Sequence, residues 1–174
     1  RALGIFNQGY AVFVVGGQLA AFGIQDSVQK HIAEHYPDHP DKARAAAAGA
    51  IVAVAITALP LAAILGLSHA AIGRVVDSAD VGRTIAIVAP GVALFALNKV
   101  LMGGLNGRRE MRLFAFGQAF RGCAILVSCL AFGLSGAEPY WLAGAFTVAE
   151  AALLPFLLVM DRGAAGGSLR DIRD

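Results

Sequence analysis

The sequence predicts an all-α protein, a polytopic membrane helix bundle, and three observations carry that prediction. Hydrophobic residues make up 57% of the chain and charged residues only 15%, outside the range of soluble globular proteins. Mean hydropathy is correspondingly high at +0.67. Five apolar stretches approach or reach the roughly 20 residues that a helix needs to cross the hydrocarbon of a bilayer. Between them, Lys and Arg gather in alternate polar connections, as they do in the cytoplasmic loops of membrane proteins.

Taken in order, the first span is expected at about Leu3–Ile24. The polar segment QDSVQKHIAEHYPDHPDKAR follows, interrupted by Pro37 and Pro40. The second span covers about Ala45–Leu67 and leads through SHAAIGRVVDSADVGR, where Asp80 is placed to cap the third span at about Thr84–Met102. Asn106-Gly107 then closes a short helical hairpin through NGRREMR into the fourth span, about Leu113–Leu134. SGAEP separates this from the fifth, about Tyr140–Met160. Residues 1–160 thus form one transmembrane unit, and residues 161–174, Gly-rich and basic, a cytoplasmic tail. Pro60, Pro90 and Pro155 fall inside spans, where prolines are ordinarily tolerated. The 21 glycines suit helices that approach closely through small side chains.

Orientation follows from the cations. Lys30, Lys42, Arg44, Arg108, Arg109, Arg112, Arg162, Arg170 and Arg173 fall on one side, while Arg1, Arg74 and Arg83 fall on the other. The richer side is expected to be cytoplasmic, which puts residue 1 outside and the tail inside. The start at Arg1, with no initiating Met, basic leader or cleavage site, is expected of a fragment. Cys123 and Cys129 share one apolar segment and point to different faces, so neither a disulfide nor a metal framework is implied.

Lys99 and Arg121 belong to neither side. Each sits eight or nine residues inside its span, roughly 12–13 Å from the basic turn at 1.5 Å per helical residue. Ionised groups near a helix centre cost about 2.5–3.5 kcal/mol on insertion, so Lys99, Arg121 and Glu150 are expected to face an interior. Gln118 and Arg121, three apart, share a face, and the two cations lie at matched depth on adjoining helices. A positive patch of this kind suits a phosphate or pyrophosphate, with Arg as a fork and Lys as a point charge; Asn98 and Gln118 complete the candidate substrate-binding set. The bland alternative is that Lys99 snorkels to the interface and Arg121 pairs with Glu150 as a bridge between helices. Glu150 is open to either role, structural ion pairing or ion coupling. Asn7, Gln8 and Gln18 are expected to hydrogen-bond between helices.

His31-Ile-Ala-Glu34-His35 satisfies the H-x-x-E-H pattern of inverted zinc metallopeptidases. A catalytic zinc needs a third protein ligand, and the neighbours Asp26, Asp38 and His39 offer no matching Glu from a second helix. Ile24, Val28, His31 and His35 instead make an amphipathic stripe, which reads as a helix running along the membrane surface. Neither a catalytic metal nor any cofactor is expected.

Two passages resemble a known family. LGIFNQGYAVFVVGGQLAAFGIQDSVQKHIAEH looks like the second helix and following loop of Wzx-type polysaccharide flippases, and NKVLMGGLNGRREMRLFAFGQAFR looks like their fourth-to-fifth helix hairpin. These flippases belong to the multidrug/oligosaccharidyl-lipid/polysaccharide exporter superfamily, built of two six-helix bundles around a central cavity. The resemblance implies that residues 1–160 are helices two to six of the first bundle, with further helices before residue 1 and after residue 174. It also implies a transporter, not an enzyme, that moves undecaprenyl-pyrophosphate-linked oligosaccharide across a bacterial inner membrane. The implied partners are that lipid-linked oligosaccharide, membrane lipids and the polymerase or glycosyltransferase machinery of polysaccharide synthesis; no nucleic acid is expected. Competing readings are a multidrug or small-molecule antiporter of the same superfamily, for which acidic residues should outnumber basic ones in the cavity, and a non-transporting membrane scaffold.

Overall fold

The computed structural model describes residues 2–167, with side chains as far as Met160. Arg1 and the cations Arg162, Arg170 and Arg173, used above to orient the chain, lie outside the described side chains. The described residues are almost all helical, with no strand among them. The helices are α1 (Ala2–Ala21), α2 (Ile24–His35), α3 (Pro40–Val75), α4 (Ala79–Gly107), α5 (Met111–Leu134) and α6 (Gly144–Gly167), with a 3-10 turn at Pro139–Trp141 before α6. Four segments, in α3, α4, α5 and Pro139–Met160, are long and apolar enough to span a membrane; α1 and α2 together add a fifth, bent by 47°. The fold class is therefore that of an all-α membrane-type bundle.

The bend corrects the first expected span. Phe22 and Gly23 have φ of 46° and 75°, a left-handed pair that ends α1 before Ile24 and starts α2 in a new direction. Glycine bears this conformation without the steric cost that a side chain adds. The break also changes what α2 does. Its apolar residues Val28 and Ile32 are 3% and 1% exposed, covered by protein instead of lying along a membrane surface. They reach α4 at Gly103 and Gly107, where an added Cβ would stand 2.7 Å from the Gln25 and Gln29 carbonyl oxygens respectively.

That close approach explains a second correction. Gly107 does not belong to the hairpin turn; α4 runs through it, and the reversal falls at Arg108–Glu110, with Arg109 at φ 62°. At the other end of α4, Ser78 and not Asp80 is the cap, its hydroxyl accepting from Val81 N at 3.4 Å, while Asp80 sits in the first turn beside Arg83. Helices α3, α4 and α6 continue unbroken through Pro60, Pro90 and Pro155. Helix α6 also runs on to Gly167, into the segment read as tail, of which residues 168–174 lie outside the described residues.

Helix α4 is the centre of the bundle, packed against α1, α2, α3 and α6. Phe13 of α1 stacks on Phe146 of α6 at 5.0 Å and meets Phe95 of α4 edge-on at 5.1 Å. A hydroxyl adds a polar tie, Thr57 of α3 donating to the Ala20 carbonyl at the end of α1 over 2.7 Å. Helix α5 is peripheral: Gly117 is its one buried residue, and it leans on α6 through Phe116 and Phe120, each 5.2 Å from the Phe156 ring. Lysine-bearing α2 shares an end of the bundle with Arg108, and the opposite end is marked by Arg83 over the Tyr140 ring at 5.4 Å. The connections rich in cations thus share an end, as the charge distribution predicts.

Candidate functional site

Six of the polar residues inside the spans, Gln18, Asn98, Lys99, Gln118, Arg121 and Glu150, converge on one cluster built by four helices. Asn98 of α4 is fully buried, as is Glu150 of α6. The Asn98 amide Nδ2 donates to the Glu150 backbone carbonyl at 2.9 Å and to its carboxylate Oε2 at 2.7 Å. Arg121 of α5 closes on the same carboxylate, with Nε 2.9 Å from Oε1 and Nη2 donating to Oε2 at 3.4 Å. The Nε approach is short but poorly angled for a hydrogen bond, so its attraction is chiefly that of charge. Nη1 of Arg121 turns the other way and donates to Gln118 Oε1 at 3.3 Å.

Lys99 lies next along α4 but finds a different environment. Its ammonium donates to Gln18 Oε1 of α1, and among the described residues no carboxylate pairs with it. Its Nζ is 5.8 Å from the Phe95 ring centre, and the Arg121 guanidinium is 5.2 Å from the same ring. One aromatic ring thus serves both cations, within the range where its quadrupole attracts them. Gly17 makes room for that ring: a Cβ there would fall 2.4 Å from Phe95 Cδ1.

Physically the cluster has two parts. Arg121, Glu150 and Asn98 form a closed, self-neutralised knot, 14% exposed at the Arg side chain and 0% at the Glu. Lys99 and Gln18, together with Gln118 beyond Arg121, form an open polar rim carrying one uncompensated positive charge. Asn98 Oδ1 is buried and accepts no hydrogen bond among the described residues, the one amide atom the knot leaves over.

Every residue singled out at the centre of the spans is thereby placed. Lys99, Arg121, Asn98, Gln118 and Glu150 come together, and the bridge between Arg121 and Glu150 is present. Gln18 makes its interhelical bond; Asn7 and Gln8 are exposed and make none among the described residues, because they lie on the outer side of α1. Phe95 was not singled out from the sequence. Its signal is its place four residues before Lys99, one turn away on the same helix face. His31, Glu34 and His35 stand apart from this cluster, on an accessible flank of α2 where His31 also borders the groove between α2 and α3. No family model, no curated protein and no solved structure matches the chain.

Proposed function

We propose that the chain is part of a membrane transporter that passes an anionic lipid-linked oligosaccharide, of the undecaprenyl-pyrophosphate class, across a bacterial inner membrane. Lys99 carries the proposal. Its ammonium group falls well inside a membrane-length helix, where among the described residues the amide oxygen of Gln18 and the ring of Phe95 answer it. Such a charge costs about 2.5–3.5 kcal/mol to insert, and a cost of that size is met by a partner. A pyrophosphate supplies one, with Gln18 and Gln118 as neutral donors beside it. The resemblance of the α1–α2 and α4–α5 passages to polysaccharide flippases points the same way. Transport of this kind involves no covalent chemistry by the protein.

An antiporter of cationic drugs draws less support. Glu150, the carboxylate within the spans, is fully buried and already engaged by Arg121 and Asn98, leaving no open acid for a cationic substrate.

The test is export of surface polysaccharide in cells that depend on this protein. Lys99→Ala is expected to abolish export while the folded protein stays at its normal level in the membrane, since among the described residues Lys99 makes no ion pair and its polar partner is the exposed Gln18. Normal export by Lys99→Ala overturns the proposal, and altered drug susceptibility in its place supports the antiporter.

A further inference from the structure

We infer that His31, Glu34 and His35 form a binding site for a single borderline transition-metal ion of the Zn2+ or Co2+ type on a solvent-accessible flank of α2. The ligand atoms of the three side chains already lie within 4.8 Å of one another. They occupy positions i, i+3 and i+4, so a helix holds all three on one side. A ring nitrogen is committed as well: Nδ1 of His35 is 2.9 Å from the His31 carbonyl, a contact in which that nitrogen donates. Fixing the proton on Nδ1 leaves Nε2 with its lone pair outward, which is how backbone carbonyls orient metal-binding histidines.

The donor set selects the ion. Two imidazoles and one carboxylate suit Zn2+, Co2+, Ni2+ or Cu2+, and not Ca2+ or Mg2+, which take oxygen ligands. With three protein ligands on an exposed face, water completes the coordination. A metal must displace two weak contacts of Glu34, with Lys30 Nζ at 3.9 Å and with His31 Nδ1 at 3.8 Å. Both are solvent-exposed pairs of small value. No peptidase activity is implied, since Glu34 is a ligand here.

The site has a structural consequence. A metal bridging His31 and His35 pins one turn of α2, and Val28 and Ile32, on the neighbouring side of the same helix, seat that stretch on α4. Loading therefore stabilises the α2–α4 contact as any ligand of the folded state does. The inference stands on α2 alone and survives failure of the transport proposal.

Titration of the tag-free, full chain in detergent with ZnCl2 by calorimetry, and with Co2+ by its visible absorption, tests it. The expected result is one saturable equivalent, with His31→Ala and His35→Ala each weakening binding by about tenfold or more, since even the loss of an outer-shell partner costs that much. Glu34→Gln should weaken Zn2+ and alter the Co2+ spectrum, while His69→Ala, remote on α3, should change nothing. His31 and Glu34 are at least half exposed, so the variants are expected to keep their helix content, checked by circular dichroism. Absence of saturable uptake by the unaltered protein, or uptake that persists in the His31→Ala/His35→Ala double variant, overturns the inference.

Discussion

Helices α4 and α5 are joined by a three-residue turn, and both read from the sequence as spans, yet the bundle treats them as opposites. Of the most apolar stretch of α4, 61% is buried inside protein; of α5, 6%. Apolarity does not separate them, since α3 is the most hydropathic of all and is only 17% buried. In a bilayer a leucine gains little by leaving lipid for protein, so the bundle is sorted by side-chain size and by polar groups. Helix α4 offers Gly82, Gly91, Gly103, Gly104 and Gly107 to its neighbours, with Ala89 and Ala96 buried beside them. Helix α5 presents Leu126, Val127 and Leu130 outward. What ties α5 in is its apolar packing around Gly117, Leu113 and Phe114, the aromatic contact with Phe156 and the ion pair from Arg121 to Glu150.

The largest effect expected from breaking that comparison follows from the ion pair. Glu150→Ala leaves Arg121 without its carboxylate and Asn98 without its side-chain acceptor, and should destabilise the protein by about 3–5 kcal/mol, the usual cost of removing one partner of a buried pair. Replacing both partners, as Arg121→Met with Glu150→Leu, should recover most of that loss, because no charge is left uncompensated. Denaturation in micelles, run as a double-mutant cycle, measures the coupling. A coupling near zero means that apolar and aromatic packing alone docks α5.

The spans and the buried charges were legible in the sequence because both are local: a run of apolar residues needs no tertiary knowledge, and a cation inside it is conspicuous. The pairing of Arg121 with Glu150 was legible only as one alternative, since nothing local says that α6 lies against α5 with those two residues level. Helix α2 was misread for a related reason. Its stripe is amphipathic whether lipid or protein covers it, and only the glycines of α4, spaced four apart at Gly103 and Gly107, reveal that a helix backbone lies there. Gly107 next to Asn106 looked like turn chemistry because that dipeptide does close turns; the carbonyl of Gln29, far away in the sequence, decides otherwise.

Gly107→Ala is the next largest break. The added methyl would lie 2.7 Å from Gln29 O and 2.9 Å from Ile32 Cβ, and a backbone oxygen cannot swing aside as a side chain can. A loss of about 1–3 kcal/mol is expected, the range for overpacking a well-filled interface. Hydrogen exchange should show it as faster opening of α2, whose seat on α4 is lost, with α5 unaffected. Equal acceleration in α5 contradicts the view of α5 as an independently docked helix.

The smallest effect sharpens the contrast by running in the opposite direction. Gly122 lies in the middle of α5, one residue beyond Arg121, and a Cβ there meets nothing within 4 Å. Gly122→Ala therefore adds no clash, and it removes the extra backbone freedom that glycine must lose on becoming helical. A gain of about 0.5–1 kcal/mol follows from helix propensity alone. The same substitution that costs stability at Gly107 should raise the denaturation midpoint at Gly122, although both are glycines inside membrane-length helices. The difference between them is what covers the helix: backbone of α2 in one case, nothing from this chain in the other. A loss of stability at Gly122 means that some surface does pack on that side of α5, and helix α5 then ceases to be the outer member of the pair.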